Sequence, residues 1–318
     1  MKMMNWFLKT ASFPPVRVGV LCAGFAFLAG ASMQLEVPAV AAQAQSSTGA
    51  SANTAQASQN SASKSDAGAT PPKKGASRGD AFSEPDPINW QDHEGYQQIF
   101  DGVSLKNWVG DPSVWRVEDG AIVGESTREK PVSNSYISFH GFEAKDFDLK
   151  LEIKVVNGGG SGIQYRSQTG IPWRRQRPQD PPPNLDWMMT GPQADFWSPA
   201  FPIASEWTGQ FYSENTPMGI LAWRGQVVES APGRNPQLMG NIGERTPLGG
   251  YVKVNDWNEY LVMARGDTFM HVLNGQLMAV YVDDRPDSSN NKTGMIGIEI
   301  EGSPCKVLVR NIWIKKLQ

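Results

Sequence analysis

Residues 148–167, DLKLEIKVVNGGGSGIQYRS, constrain the fold more than any other stretch of the chain. Leu149, Leu151, Ile153 and Val155 alternate with Asp148, Lys150, Glu152 and Lys154. A side-chain period of two belongs to a strand with one buried face and one wet face. The run stops at Asn157 and the glycines 158–160, where the backbone can take positive φ at little steric cost. It resumes in SGIQYR, with Ile163 and Tyr165 on one face and Gln164 and Arg166 on the other. A Gln beside an Arg on a polar strand face, next to glycines that admit a ligand, makes a candidate site floor. A plain solvated face gives the same pattern.

Strand signals continue on both sides of this stretch. WRVEDGAIVGE sets two short strands around Asp119-Gly120, a hairpin signal. DWNEYLVMARGDTFMHVLNGQLMAVYVDD reads as three strands, turning at Gly266-Asp267 and Asn274-Gly275. GMIGIEIEG and CKVLVRNIWIKKL supply the last two strands. No helix-period run of any length interrupts them, and 32 glycines, 23 prolines and 11 tryptophans suit a loop-rich β protein. The expectation is one all-β domain over residues 88–318, an antiparallel β-sandwich. A long irregular insert runs from Gln168 to about Pro192, its Pro181-Pro182-Pro183 excluding helix and central strand. Trp173 and Trp187 within it argue for an ordered loop.

Ahead of the domain, Lys2, Lys9 and Arg17 precede the apolar run VGVLCAGFAFLAGASM and the small residues of VPAVAAQAQ. That layout predicts a signal peptide over 1–42, cleaved after Ala42 or Ala44, and a periplasmic or secreted product with no membrane insertion afterwards. An uncleaved anchor over Val16 to Leu35 is the rival, being long enough to span a bilayer. Cys22 lies outside any lipobox. Residues 43–87 predict a disordered linker, since Gln43 to Gly79 holds no aromatic or branched aliphatic side chain to offset chain entropy. A net charge of −3 points to neither nucleic acid nor an anionic membrane surface as partner.

The three histidines, His93, His140 and His271, are scattered, and beyond the signal segment Cys305 is the one cysteine. Neither a zinc site nor an internal disulfide is expected, nor any cofactor. An all-oxygen Ca²⁺ site drawn from separate loops would leave no motif to read. Candidate chemistry concentrates in GPQADFW…EWTGQFYSENTPMGILAWRGQ. Asp195, Glu206 and Glu214 offer carboxylates for acid–base work, with Arg166 as an electrostatic clamp. Trp197, Trp207, Trp223 and Tyr212 offer faces on which sugar rings stack. Aromatics that fill a core and carboxylates that solvate loops would look similar.

In order along the chain, IFDGVSLKNW, WRVEDGAIVG, SGIQYR, Gln193 and Asp195 in GPQADF, TGQFY, Trp257-Asn258, Arg265-Gly266, Asn274-Gly275 and RNIWIK resemble the motifs of the 3-keto-disaccharide hydrolase domains. The resemblance spans Tyr96 to Leu317 and implies a concanavalin A-like jelly roll. It implies a sugar substrate oxidised to a ketone at C3, which acidifies the C2 proton. A base then removes that proton, the enolate expels the C1 substituent, and water adds. Such a site needs a base, a group at the ketone oxygen and an acid for the leaving group. Arg166 is the candidate at the oxygen, Asp195 or Glu214 the base, and Glu299 or Glu301 the acid, with Gln164 and Gln193 among the substrate-binding residues. The penultimate strand departs from the family's Leu-Gln-x-His, reading IEIE with Glu299 and Glu301. A two-carboxylate glycosidase and a non-catalytic carbohydrate-binding module remain the alternatives.

Overall fold

The computed structural model describes residues 84–132, 134–172, 184–200, 204–302 and 304–317. The expected signal segment, most of the expected linker and the proline-rich middle of the insert, Trp173 included, lie outside the described residues. In chain order the strands are β1 (Gln97–Gln98), β2 (Trp108–Gly110), β3 (Trp115–Glu118), β4 (Ala121–Ser126), β5 (Asn134–Ala144) and β6 (Phe147–Val156). There follow β7 (Gly160–Ser167), β8 (Gly191–Trp197), β9 (Phe211–Glu214), β10 (Gly219–Ala222), β11 (Gln226–Ser230) and β12 (Gln237–Asn241). The last are β13 (Asn258–Arg265), β14 (Thr268–Leu273), β15 (Gln276–Asp283), β16 (Gly294–Glu301) and β17 (Cys305–Lys316).

These strands make two sheets. The first runs β12-β11-β15-β14-β13-β6-β17-β4-β3, with β1 added beside β17; the second runs β10-β9-β8-β7-β16-β5-β2. Pairing is antiparallel except between β11 and β15, which run parallel. The two Asx-Gly hairpins form as their sequences require: Asp119 and Gly120 have φ of 50° and 76°, Asn274 and Gly275 φ of 50° and 80°. Positive φ at both central residues is the turn that matches the twist of a hairpin.

The turn at Asn157 to Gly159 does something else. β6 pairs with β13 and β17, whereas β7 pairs with β8 and β16, so this turn carries the chain from one sheet to the other. Gly159 has φ of 69°, and a Cβ there would lie 2.5 Å from the Glu301 carbonyl oxygen. No side chain fits at that crossing.

The core lies between the sheets. Leu149, Leu151, Ile153 and Val155 of β6 are buried with Val307 and Val309 of β17, together with Ile163, Tyr165, Ala194, Phe196, Ile296, Ile298 and Ile300 of the second sheet. Each aliphatic side chain so enclosed is worth about 1.5–3 kcal/mol of transfer free energy. The other face of β6 is not uniformly wet. Lys150 is 4% exposed, because residues 89–96 cross over it and its ammonium donates to the Asn89 and Asp92 carbonyls.

Candidate active site

With Ile137, Ile163, Ala194, Phe196, Phe211 and Ile298 committed to the core, the alternate residues of β5, β7, β8, β9 and β16 share the outer face of the second sheet. Register then places the polar groups. Glu299 stands opposite Tyr136 and Glu301 opposite Asn134, Gly162 opposite Asp195, and Gln193 between Gln164 and Tyr212. Glu214 lies on the same face and is 7% exposed.

Tyr136 donates from its hydroxyl to Glu214 Oε1 at 2.9 Å and accepts from Asn215 Nδ2 at 3.1 Å. Glu299 Oε1 accepts from Asn134 Nδ2 at 2.6 Å, while its Oε2 accepts from Gln193 Nε2. Gln193 can lie across β7 to make that bond because position 162 is glycine, where a Cβ would fall 2.2 Å from the Gln193 amide. Asp195 Oδ2 accepts from Gln210 Nε2, and its carbonyl accepts from Tyr260 Oη at 3.2 Å.

Behind Gln210, His271 is 1% exposed, and burial pushes its imidazole down to about 4. The ring is therefore neutral. A carbonyl can only accept, so Nδ1–H donates to the Gln210 carbonyl at 3.1 Å and Nε2 accepts from Tyr165 Oη at 2.8 Å.

Four carboxyl groups meet on this face, and all are shifted upward. Burial raises Asp195 well above the carboxylate range; the Gln210 hydrogen bond opposes the shift, and Glu299 and Glu301 add to it. Burial also raises Glu214, with Glu299 contributing and the Tyr136 hydrogen bond opposing. Glu301 is pushed up to about 8 by burial and then by Glu299. Glu299 too is raised by burial, but hydrogen bonds from Asn134 and Gln193 favour its ionised form. A cluster of this kind holds some members as neutral acids and favours as base the one whose charge is best met by hydrogen-bond donors.

Asp195, Glu214, Glu299, Glu301, Gln164, Gln193, Trp197 and Tyr212 thus fall on one face. Arg166 does not. Its φ is 47°, and the β7–β16 register shifts between Met295 and Gly297, a bulge that breaks the alternation. The side chain turns to the core side, with its guanidinium 4.8 Å from the Phe269 ring centroid. There it donates to the carbonyls of Lys145, Gly266 and Asn290 and pairs with Asp146 at 3.0 Å. The expected clamp is a staple between the sheets.

Trp207 meets Trp197 edge-on at 4.8 Å, beside the carboxyl cluster. Trp223 sits in the β10–β11 turn with the Arg245 guanidinium 4.1 Å over its ring, so one stacking face is already taken. Glu206 accepts from Thr246 instead of joining the cluster. Tyr136, Asn134, Gln210 and His271 were not singled out by sequence. Tyr136 had a signal in YISF, where it alternates with Ile137. No group of three or more His, Cys, Asp or Glu side chains placed to hold a metal occurs among the described residues, and no described helix is long and apolar enough to cross a membrane.

The pattern of the 3-keto-alpha-glucoside-1,2-lyase-like domain matches residues 95–315. The chain belongs to that family. A 3-keto-disaccharide hydrolase of Bacteroides thetaiotaomicron is 38% identical to this chain over 86 residues, a match covering 24% of this chain and 29% of that protein. The chain thus spans under a third of the relative it matches. Among solved structures, a Bacillus subtilis protein of unknown function with a galectin-like fold is 10% identical, with 70% of this chain and 94% of that one covered at a TM-score of 0.44. The carbohydrate-binding module CBM66 of Bacillus subtilis is 14% identical, with 66% and 96% covered at a TM-score of 0.39.

Proposed function

We propose that the domain cleaves glycosides oxidised to a ketone at C3, by elimination across C1 and C2. The observation that carries this is the division among clustered carboxyl groups. Glu299 is hydrogen-bonded by Asn134 and Gln193 as a carboxylate, while its neighbour Glu301 stays protonated up to about pH 8. On that difference Glu299 is assigned the base and Glu301 the acid. This reverses the expected role of Glu299 and leaves Glu301 as the acid.

Glu299 takes the C2 proton, and the C–H electron pair moves into the enolate. The oxygen that gains charge needs a donor, and Arg166 is turned away. Asp195, kept neutral by burial, supplies one instead, since a buried carboxylic acid can donate a hydrogen bond to an enolate oxygen. As the ketone re-forms, the C1–O bond breaks, a C1=C2 double bond forms, and Glu301 gives its proton to the departing oxygen. Water added across that double bond completes net hydrolysis. Trp197, half-buried beside Glu301, is placed to stack on a sugar ring.

Turnover of a 3-keto-disaccharide in D₂O tests the scheme. Elimination followed by water addition leaves one deuterium at C2 of the released keto sugar. Release without deuterium assigns displacement at C1 instead, and binding without release makes the domain a carbohydrate-binding module. Glu299→Gln should lower kcat by about 10²–10⁴-fold with substrate still bound.

Export belongs to the same proposal, on the charged start, apolar run and small-residue stretch of residues 1–44. A mature N-terminus near Gln43 on the protein outside the cytoplasm is the expected result. Full-length chain in the cytoplasm with Met1 retained would refute it.

A further inference from the structure

On β5, β7, β8 and β16 exposure across the site face runs in one direction. Gln164 is 0% exposed, Ser138 and Gln193 are 1%, Glu299 is 2%, Tyr136 is 3% and Asp195 is 5%. Beyond them Trp197 and Glu301 are half-buried and Asn134 is exposed. The cover at the closed end is residues 184–190. Met189, itself 0% exposed, lays its sulfur over Gly297, where a Cβ would fall 2.2 Å from Sδ. Met188 and Met189 pack on Tyr136, with Leu185 and Met295 against them.

This cover is pinned. The Met189 carbonyl accepts from Asn215 Nδ2 at 2.7 Å, and Thr190 exchanges backbone hydrogen bonds with Gln168 at 2.9 and 3.0 Å. The Leu185 carbonyl accepts from the Gly170 amide at 2.8 Å. Anchors on three sides make it a wall, with Glu299 near its foot and Glu301 and Trp197 at the open side.

We propose that Met189 closes this end of the face and restricts the site to a keto sugar at the end of a chain. The C1 substituent leaves past Glu301 and Trp197. Resting as it does on the keto-glycoside reading above, the proposal adds a size class. The keto ring carries nothing bulky on its far side, while the leaving group is free to vary.

The test compares 4-nitrophenyl 3-keto-α-glucoside with the homologue carrying a further glucose on O4 of the keto ring. Wild-type kcat/KM should favour the shorter compound by about a hundredfold or more, and Met189→Ala should narrow that ratio by about tenfold. Met189→Leu refills the space and should keep the preference. Met189→Val, a smaller deletion, serves if the alanine variant does not fold. Calorimetric titration of the unoxidised pair, 4-nitrophenyl α-glucoside and α-maltoside, reads the same preference in a protein that cleaves neither ketone, which separates failure of the chemistry from failure of the wall. Equal handling of short and extended compounds by the wild type overturns the proposal. So does an unchanged ratio in the alanine and valine variants.

Discussion

The Arg166 guanidinium carries its charge into a place that is 1% exposed, and its donors there meet the carbonyls of Lys145, Gly266 and Asn290 and the carboxylate of Asp146. Removing it empties a fully buried position and leaves the buried Asn290 carbonyl without that donor, while the Lys145 and Gly266 carbonyls and the Asp146 carboxylate lie nearer solvent and can turn to water. Arg166→Ala should therefore destabilise the domain by about 1–3 kcal/mol, read as a lower denaturant midpoint, with turnover per folded molecule unchanged. Arg166→Lys should recover little, because one ammonium cannot reproduce a planar fork aimed at several acceptors. A large fall in kcat with unchanged stability would return Arg166 to the chemistry.

At the scale of the strand, β7 decides what the site face carries. Gly162 leaves the room through which Gln193 reaches Glu299, so Gly162→Ala should push the amide aside while the sheet still forms. Loss of one hydrogen bond to a charged group corresponds to about a tenfold to hundredfold fall in kcat. Wild-type turnover by that variant would show that Gln193 does not position Glu299. The same strand marks where sequence stops being informative. Leu149 to Val155, the Asx-Gly hairpins and the IEIE strand were legible, because alternation and turn chemistry are local properties. The bulge at Arg166 was not legible, since an inserted residue reverses the alternation without changing composition. Nor was Tyr136 marked as a partner of Glu214, which is distant from it in sequence. Register brings Asp195, Glu214, Glu299 and Glu301 to one face and the bulge turns Arg166 off it, and neither is written in local pattern.

For the whole molecule, the buried carboxyl groups set how stability follows pH. Glu301 titrates near 8 when folded against 4.5 for the unreacted side chain, so between those values the folded state holds a proton that the unfolded chain has released. Stability from this group is fully present below about 4.5 and is lost as pH rises towards 8. Asp195, Glu214 and Glu299 act in the same direction. Asp283 acts oppositely. Burial works against its charge but is outweighed by hydrogen bonds from Arg285, Ser288 and Asn290, so its contribution is lost in strong acid. The thermal midpoint should peak in mildly acid solution and fall towards pH 8, with Glu301→Gln flattening the fall. A midpoint that rises steadily from pH 5 to 8 would contradict this. β16 inserts between β7 and β5, and β17 between β6 and β4, with Val309 opposite Ile153. During synthesis each sheet therefore has an internal gap until β16 and β17 leave the ribosome, and the earlier strands wait with apolar faces and open edges on both sides of the gap. The domain closes in one late event, not sheet by sheet as it is made.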